Sequence, residues 1–392
     1  MAPAKPGPEG ACVWHGPFLY DPRVTATQVL LAALGLVLIV VVFYDLFQSV
    51  VLPRPAVRKV QLARGVVRPL WYVWRWVSQR TSRVDRSEGR LAAFAPMALL
   101  ILFAIWASAL VLGYGLLLDG LADEMRPPPQ DLITSIYISA STLVPLAYGD
   151  FVPEGPGARI LIVAESATGV GLAALAITLL FSLFESFRAR EELVISLDAL
   201  AGAPPSGVHI LETAAELGMR DELKGVFDEW RQWSSMVLES HLAYPLLVYF
   251  RSSHDNEAWV NSFGAVMDAA ILVMSTVEDG PVGPAKLMFT VGNHLVEDLS
   301  WVFRFKSANY PIVEQSEYVA AVALLTKAGY RVKDTEKSWK HFAQLRSKYA
   351  MTLNQMANLL ALPPAQWIGD RSYVPHRERP SRTPRRKPTT TS

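Results

Sequence analysis

Three groups of residues have the types and spacing to do chemistry. The first runs from Asp131 to Asp150. Asp131–Val144 reads DLITSIYISASTLV, apolar and rich in Ser and Thr. It is too short to cross a hydrocarbon core of about 30 Å. Pro145-Leu146-Ala147-Tyr148-Gly149-Asp150 and Phe151-Val152-Pro153 follow it. A short helix going in, an extended return and then a long apolar helix make a re-entrant loop. Non-helical backbone persists at membrane depth only where it is buried in protein or lines a water-filled path. The chemistry expected is therefore passage of ions through a pore.

The second group is acidic. Asp119, Asp123, Glu124, Asp131, Asp150 and Glu154 surround the expected outer mouth. Repeated in a ring they would raise the local cation concentration; a solvated acidic loop is the plainer reading. Glu165 lies about one turn inside a long apolar run, where a carboxylate is a functional candidate by default. It would support the back of the loop or bind an ion.

The third group lies in the second half: Glu239-Ser240-His241 with Arg251, His254 and Asp255, and His294, Glu297 and Asp298 on one helix. His and carboxylate at i, i+4 can share a metal. The pattern is not HExxH, however, and no partner spacing repeats it, so no metal is expected. His241, Arg251, His254, His294 and Asp298 form a candidate ligand site of unknown specificity. Buried, hydrogen-bonded His and Arg holding a helical bundle together is the favoured alternative. No phosphate loop, dinucleotide fingerprint, GxSxG element or Cys–His pairing is present, which disfavours an enzyme.

The elements that must position these groups follow from hydropathy. The 392 residues are 51% hydrophobic and 19% charged, with net charge +1 and mean hydropathy +0.22. Disorder is excluded, and a wholly soluble protein is not expected. One cysteine, Cys12, excludes an internal disulfide framework. Three long apolar runs, Val29–Tyr44, Leu91–Leu118 and Ile160–Phe184, are each read as a membrane span. The residues before the first are not a short basic region, so a cleaved signal peptide is not expected.

Residues 53–90 hold ten Lys and Arg against Asp85 and Glu88. The positive-inside rule turns that linker to the cytosol. The N-terminus is then outside and the C-terminus in the cytosol of a multi-pass cell-membrane protein. Within the linker, Val66–Val77 (VVRPLWYVWRWV) carries three Trp and a Tyr. It suits either an amphipathic element on the inner leaflet or packing against the first helix.

The order of spanning helix, short helix, Tyr148-Gly149-Asp150, Pro153 and Arg159 resembles the pore module of potassium channels. The first span with its basic linker resembles an extra N-terminal helix found in a prokaryotic, potassium-channel-like branch. Ser240-His241, Tyr244-Pro245 and Phe250-Arg251-Ser252 resemble elements of that branch's helical cytosolic domain. The resemblance implies a filter at Pro145, Leu146, Ala147, Tyr148 and Gly149, whose carbonyls replace the water around a cation. It implies that Asp150 supports filter geometry, that Gly169 is a gating hinge, and that four copies form a homotetramer.

The family's five filter positions read Thr-Val-Gly-Tyr-Gly. Here Pro145 replaces the Thr that supplies the innermost ion site, and its ring is expected to hold φ near about −65°. Ala147 replaces a glycine, at roughly 1–2 kcal/mol if the left-handed conformation is kept. Weakened K⁺ over Na⁺ selectivity follows, and Pro145→Thr with Ala147→Gly is expected to sharpen it. Spacing of four from Gly169 or Val170 aligns Ala173, Ile177, Phe181 and Glu185. Ile177 and Phe181 suit a hydrophobic constriction, and Glu185 a ring at the cytosolic mouth.

The expected architecture is an all-α membrane protein of three transmembrane helices and a re-entrant pore helix, with a soluble C-terminal α-helical domain. Its parts are an extracytoplasmic segment 1–26, a span 27–52, the basic amphipathic linker 53–90 and a pore module 91–189. The module holds the pore helix 131–144 and filter 145–149. A helical domain 190–370 and a basic, disordered tail 371–392 follow. Helices are expected at Met219–Phe250, interrupted near Pro245, at Asn256–Val277 capped by Asp255, and at Lys286–Phe305, Glu314–Lys327 and Thr335–Leu362. The expected function is conduction of monovalent cations, K⁺ or another, with no other cofactor. Partners are the lipid bilayer, further copies of the chain and an unidentified cytosolic ligand, not nucleic acid. The alternative is a nonconducting sensor or scaffold that keeps the channel fold and acts through its cytosolic domain.

Overall fold

The computed structural model describes residues 26–51, 62–80, 89–146, 148–252, 258–306, 310–362 and 365–367. Residues 1–25, most of the basic linker outside its helix, Ala147, His254, Asp255 and the tail 371–392 lie outside the described residues.

The described chain is overwhelmingly helical. In order it forms α1 (Ala26–Leu46), α2 (Leu62–Gln79), α3 (Phe94–Asp119), α4 (Leu132–Leu143), α5 (Pro156–Ala201), α6 (Gly207–Glu216), α7 (Leu223–Ala243), α8 (Trp259–Ser275), α9 (Val282–Phe303), α10 (Gln315–Lys327), α11 (Thr335–Arg346) and α12 (Ala350–Leu360). Three stretches are long and apolar enough to cross a membrane: Ala26–Ser49, Gly89–Asp119 and Pro156–Ala201. The all-α membrane architecture with a helical C-terminal region holds. Two dipeptide strands, β1 (Met125–Arg126) and β2 (Val152–Pro153), pair antiparallel. No alternating apolar and polar pattern marks them in the sequence.

The chain divides into two compact units. One contains α1 as far as Phe43 together with Trp106–Leu172. Its helices meet at glycines. A Cβ at Gly35 would stand 2.5 Å from the Gly113 carbonyl oxygen, and one at Gly113 would stand 2.8 Å from Ile39. With no hydrophobic drive between helices in lipid, small residues that let backbones approach are what holds spans together. Gly115 performs the same service for α4, leaving room for the backbone of Ile136. A small apolar core of Leu118, Met125, Ile138 and Ala158 lies beside the hairpin.

The second unit contains Tyr44–Ile105 and the chain from Ala173 on. Its core is continuous from Phe94 and Leu183 through Trp230, Phe263 and Tyr318. α8 is apolar on every face and buried along almost its whole length, as a central helix must be. The buried carboxylate of Asp268 is paired. Asp268 accepts from Arg346 Nε at 2.9 Å and from the Tyr349 hydroxyl at 2.5 Å. Burial pushes the Asp268 carboxyl above its usual range, against the pull of Arg346.

Helix ends differ from the sequence expectation at several places, and the helix expected at Lys286–Phe305 runs from Val282 to Phe303. α8 starts at Trp259, not Asn256, with Ala258 at its N-cap; the expected cap, Asp255, lies outside the described residues. The expected helix Thr335–Leu362 is two helices, broken at Ser347–Tyr349. The expected helix Met219–Phe250 starts at Leu223 and ends at Ala243, and Pro245–Tyr249 forms a 3-10 turn. Proline there cannot continue the i→i−4 ladder.

Candidate functional site

The pore loop is held from behind by α4. Asp131 caps that helix, its carboxylate accepting from the Thr134 N–H at 2.8 Å and the Thr134 hydroxyl at 2.6 Å. The Thr134 bonds hold the Asp131 carboxyl below its ordinary value. Ser135 and Ser139, one turn apart, share a buried face. Ser135 donates to Asp119 at 3.2 Å. Ser139 donates to the Val111 carbonyl at 2.9 Å and also reaches the Glu165 carboxylate. The Ser-rich composition of this segment therefore has a structural purpose that its sequence alone did not specify.

Glu165 is fully buried. One oxygen meets Ser139, and Oε2 has no hydrogen-bond partner among the described residues. Its position behind α4 suits support of the loop.

α4 ends in a reversal of the Schellman type. Val144 is the C-cap, and the Leu146 N–H donates to the Ser141 carbonyl at 2.8 Å. That 6→1 bond requires a positive φ at the residue between, a place usually filled by glycine. Here it is Pro145, with φ 24°. The φ near about −65° expected of the ring is not the value found at this position. Gly149 takes φ 75°, the left-handed conformation its missing side chain permits. Leu146 and Tyr148 are exposed, Tyr148 by 66%. Beyond Gly149, the Tyr137 hydroxyl donates to Asp150 at 2.9 Å, tying the end of the loop to α4.

The acidic mouth is largely committed to structure. Glu124 accepts the Ala158 N–H at 2.7 Å, at the start of α5. Gly155 and Gly157 leave the space its carboxylate fills. A carboxylate there is favoured by the helix dipole and by the free N–H groups of the first turn. This removes Glu124 from the expected ring. Glu154 pairs with Arg126 at 3.3 Å across the hairpin, both exposed. Arg159 donates to the Pro153 carbonyl at 3.3 Å.

α5 is helical without interruption through Gly169. A Cβ on Gly169 would overlap the carbonyl of Leu143, the last residue of α4. Close approach therefore accounts for the glycine without a hinge. Further along, Ala173, Ile177, Phe181 and Glu185 are exposed on one face, Phe181 by 71%. Leu179 and Leu183 are buried in the core of the second unit.

The described candidates of the C-terminal region are not brought together. His241 is buried; its Nδ1 faces the Val237 carbonyl at 2.9 Å and its Nε2 faces Arg190 Nη1 at 3.3 Å. Nδ1–H donating to Val237 leaves Nε2 to accept from Arg190, a tautomer inferred from the network. Burial, then the Arg190 charge, pushes the imidazole down to about 3. Arg190 also pairs with Glu191 at 2.8 Å and donates to the carbonyls of Leu247 and Phe250 at 3.0 and 2.7 Å. Arg251 donates to the Leu360 carbonyl at 2.6 Å. His294 and Asp298 form an exposed pair at 3.5 Å. Among the described residues no three His, Cys, Asp or Glu are grouped to hold a metal. The geometry of His241 and Arg251 matches bundle-holding groups.

Comparison with known proteins adds one match. Residues 97–186 fit the family model described as ion channel. No curated protein and no solved structure matches the chain. The matched stretch takes in most of α3, all of α4, the loop with Gly149, and α5 past the Ala173–Glu185 face. Over residues 97–186 the chain is therefore similar to ion channels, which supports the potassium-channel-like resemblance.

Proposed function

We propose that the protein conducts monovalent cations, as four copies around a central path, through the backbone carbonyls of Pro145–Gly149. The observation that carries this reading is the loop between α4 and α5. It is non-helical backbone inside a stretch that matches ion channels, and such backbone is stable at membrane depth only against protein or a water-filled path. α1, α3 and α5 cross the bilayer, with the basic linker and the C-terminal helices in the cytosol.

Exposure supports the assembly. A single chain leaves Leu146, Tyr148, Ile177 and Phe181 uncovered. A ring of copies would cover part of these faces and turn the rest to the axis. Ile177 and Phe181 then narrow the path and close it by dewetting, with Glu185 at its inner end. Asp150 holds the outer end of the filter through Tyr137, and Glu165 backs α4. Pro145 supplies no hydroxyl to an innermost site, so discrimination of K⁺ from Na⁺ is weaker than with the five-residue signature. The cytosolic helices act on the path through α5, which is continuous to Ala201 and gripped near Arg190.

Uptake of K⁺ and Na⁺ by vesicles holding the purified full chain tests the reading. Uptake of both ions above that of protein-free vesicles is expected. Uptake at the protein-free level over a range of pH, voltage and Ca²⁺ contradicts it and favours the nonconducting sensor or scaffold.

A further inference from the structure

The helix between the first two spans carries an inference that conduction does not require. α2 has two apolar faces. The inner one is packed. Trp71 is wholly buried, its ring 4.8 Å from Phe94 and 5.4 Å from Tyr249 between centroids. Trp71 Nε1 donates to the Leu359 carbonyl at 3.0 Å, and Arg75 donates to the Asn358 carbonyl at 2.6 Å. Both bonds go to carbonyls in the last turn of α12, where intrahelical partners run out; the Asn358 carbonyl also accepts from the Ala361 N–H at 3.3 Å.

The outer face comprises Pro69, Tyr72, Val73, Trp76 and Val77, at helical spacing and exposed, Trp76 by 55%. Exposed Arg68 and Arg80 flank it, and the Arg80 guanidinium lies 3.6 Å from the centre of the Trp76 ring. A helix facing water places polar residues on its free side. A contiguous apolar patch with Trp and Tyr, rimmed by arginine, is instead the composition of a bilayer interface.

Connectivity names the occupant. α2 stands between the spans Ala26–Ser49 and Gly89–Asp119, so both its tethers leave the same membrane face. The longer one, Val50–Gln61, reaches at most about 40 Å when fully extended. The parity of three spans also returns the chain after α5 to that face, where α2 meets α12.

We propose that the outer face of α2 is seated in the interfacial layer of the bilayer. Tyr72, Val73, Trp76 and Val77 lie among the upper acyl chains, and Arg68 and Arg80 lie at lipid phosphates. α2 thereby anchors the C-terminal helices to the membrane surface. The proposal rests on the three-span reading above.

The test uses the full chain with Cys12→Ser and a single new cysteine carrying an environment-sensitive fluorophore. The sites are Val73→Cys and Val77→Cys, with Leu100→Cys on the second span and Leu217→Cys at the end of α6 as controls, both exposed in the chain. Vesicles of phosphatidylcholine and phosphatidylglycerol contain nitroxide lipids, shallow or deep, with iodide as quencher on both sides. At 73 and 77 we expect blue-shifted emission, quenching by shallow nitroxide and loss of the iodide quenching seen at 217. Iodide quenching at 73 and 77 equal to that at 217 overturns the proposal. Protection from both quenchers also overturns it and assigns the face to protein, such as a second copy. A Leu100 label that deep nitroxide does not reach overturns the span reading itself, and the anchor with it.

Discussion

The carbonyl of Leu143 occupies the space that a side chain on Gly169 would need. Leu143 is the last residue of α4 and Gly169 lies within α5, so this contact seats the end of the short helix from which the Pro145–Gly149 loop departs. Gly169→Ala must push the two backbones apart. Overpacking of this kind costs about 1–3 kcal/mol, and a carbonyl yields less readily than a flexible side chain. The expected result is a lowered thermal midpoint and lost ion uptake. Gly171→Ala, which meets nothing within 4 Å, leaves both unchanged. A Gly169→Ala protein of normal stability with altered opening would support the hinge instead.

Ser139 has one hydroxyl proton and two oxygen neighbours, the Val111 carbonyl and the Glu165 carboxylate. An N–H at position 165 would satisfy both contacts, so Glu165→Gln is expected to keep stability and uptake. Ser139→Ala leaves Glu165 buried without this partner, at about 1–3 kcal/mol. Adding Glu165→Leu to Ser139→Ala should recover part of that loss. A thermal double-mutant cycle with no coupling would contradict the pairing.

Pro145 holds a left-handed backbone that its ring opposes. Pro145→Gly removes that conflict and adds an N–H able to complete the Schellman pair. We expect a gain in stability of about 1–3 kcal/mol per subunit, the usual range of stored backbone strain. The same geometry argues against threonine at this position, because a β-branched residue is also strained at positive φ. A thermal midpoint unchanged or lowered in Pro145→Gly would contradict the strain.

His241 makes stability pH-dependent in a defined window. Its folded value is about 3, against an ordinary value of 6.5. Between these the unfolded chain binds a proton that the folded chain does not. The stabilisation is whole above about pH 6.5 and falls as pH drops toward 3, by at most about 1.4 kcal/mol per pH unit. Denaturant midpoints of the full chain in detergent should fall from about pH 7 to about pH 4. His241→Gln, which hydrogen-bonds without titrating, should flatten that slope. Equal slopes in the two proteins would remove His241 as the cause.

The spans and the short helix were legible because uninterrupted apolar length is a direct readout of hydrocarbon thickness. Gly149 was legible through the resemblance of Tyr148-Gly149-Asp150 to the potassium-channel pore module, and it takes the positive φ that glycine permits. What stayed hidden depends on partners distant in sequence. Glu124 reads as one more acidic loop residue until the start of α5 is seen beside it. Trp71 and Arg75 read as membrane-facing or packed on the first helix; their acceptors lie on α12, more than 280 positions away. The Leu143–Gly169 contact likewise leaves only a glycine in the sequence. The break at Ser347–Tyr349 carries no proline or glycine to mark it.

The central claim is that cations pass the Pro145–Gly149 backbone. K⁺ uptake by vesicles holding equal amounts of the wild-type chain and of Gly149→Val tests it most directly. Space at Gly149 is open, so the variant disturbs the φ of 75° and packs against nothing. A β-branched residue at that φ is a backbone outlier. The account predicts K⁺ uptake by wild type and its loss in Gly149→Val, with the variant still folded and its stability lowered by no more than about 1–3 kcal/mol of backbone strain. Equal uptake by the two proteins would place the ion path elsewhere and contradict it.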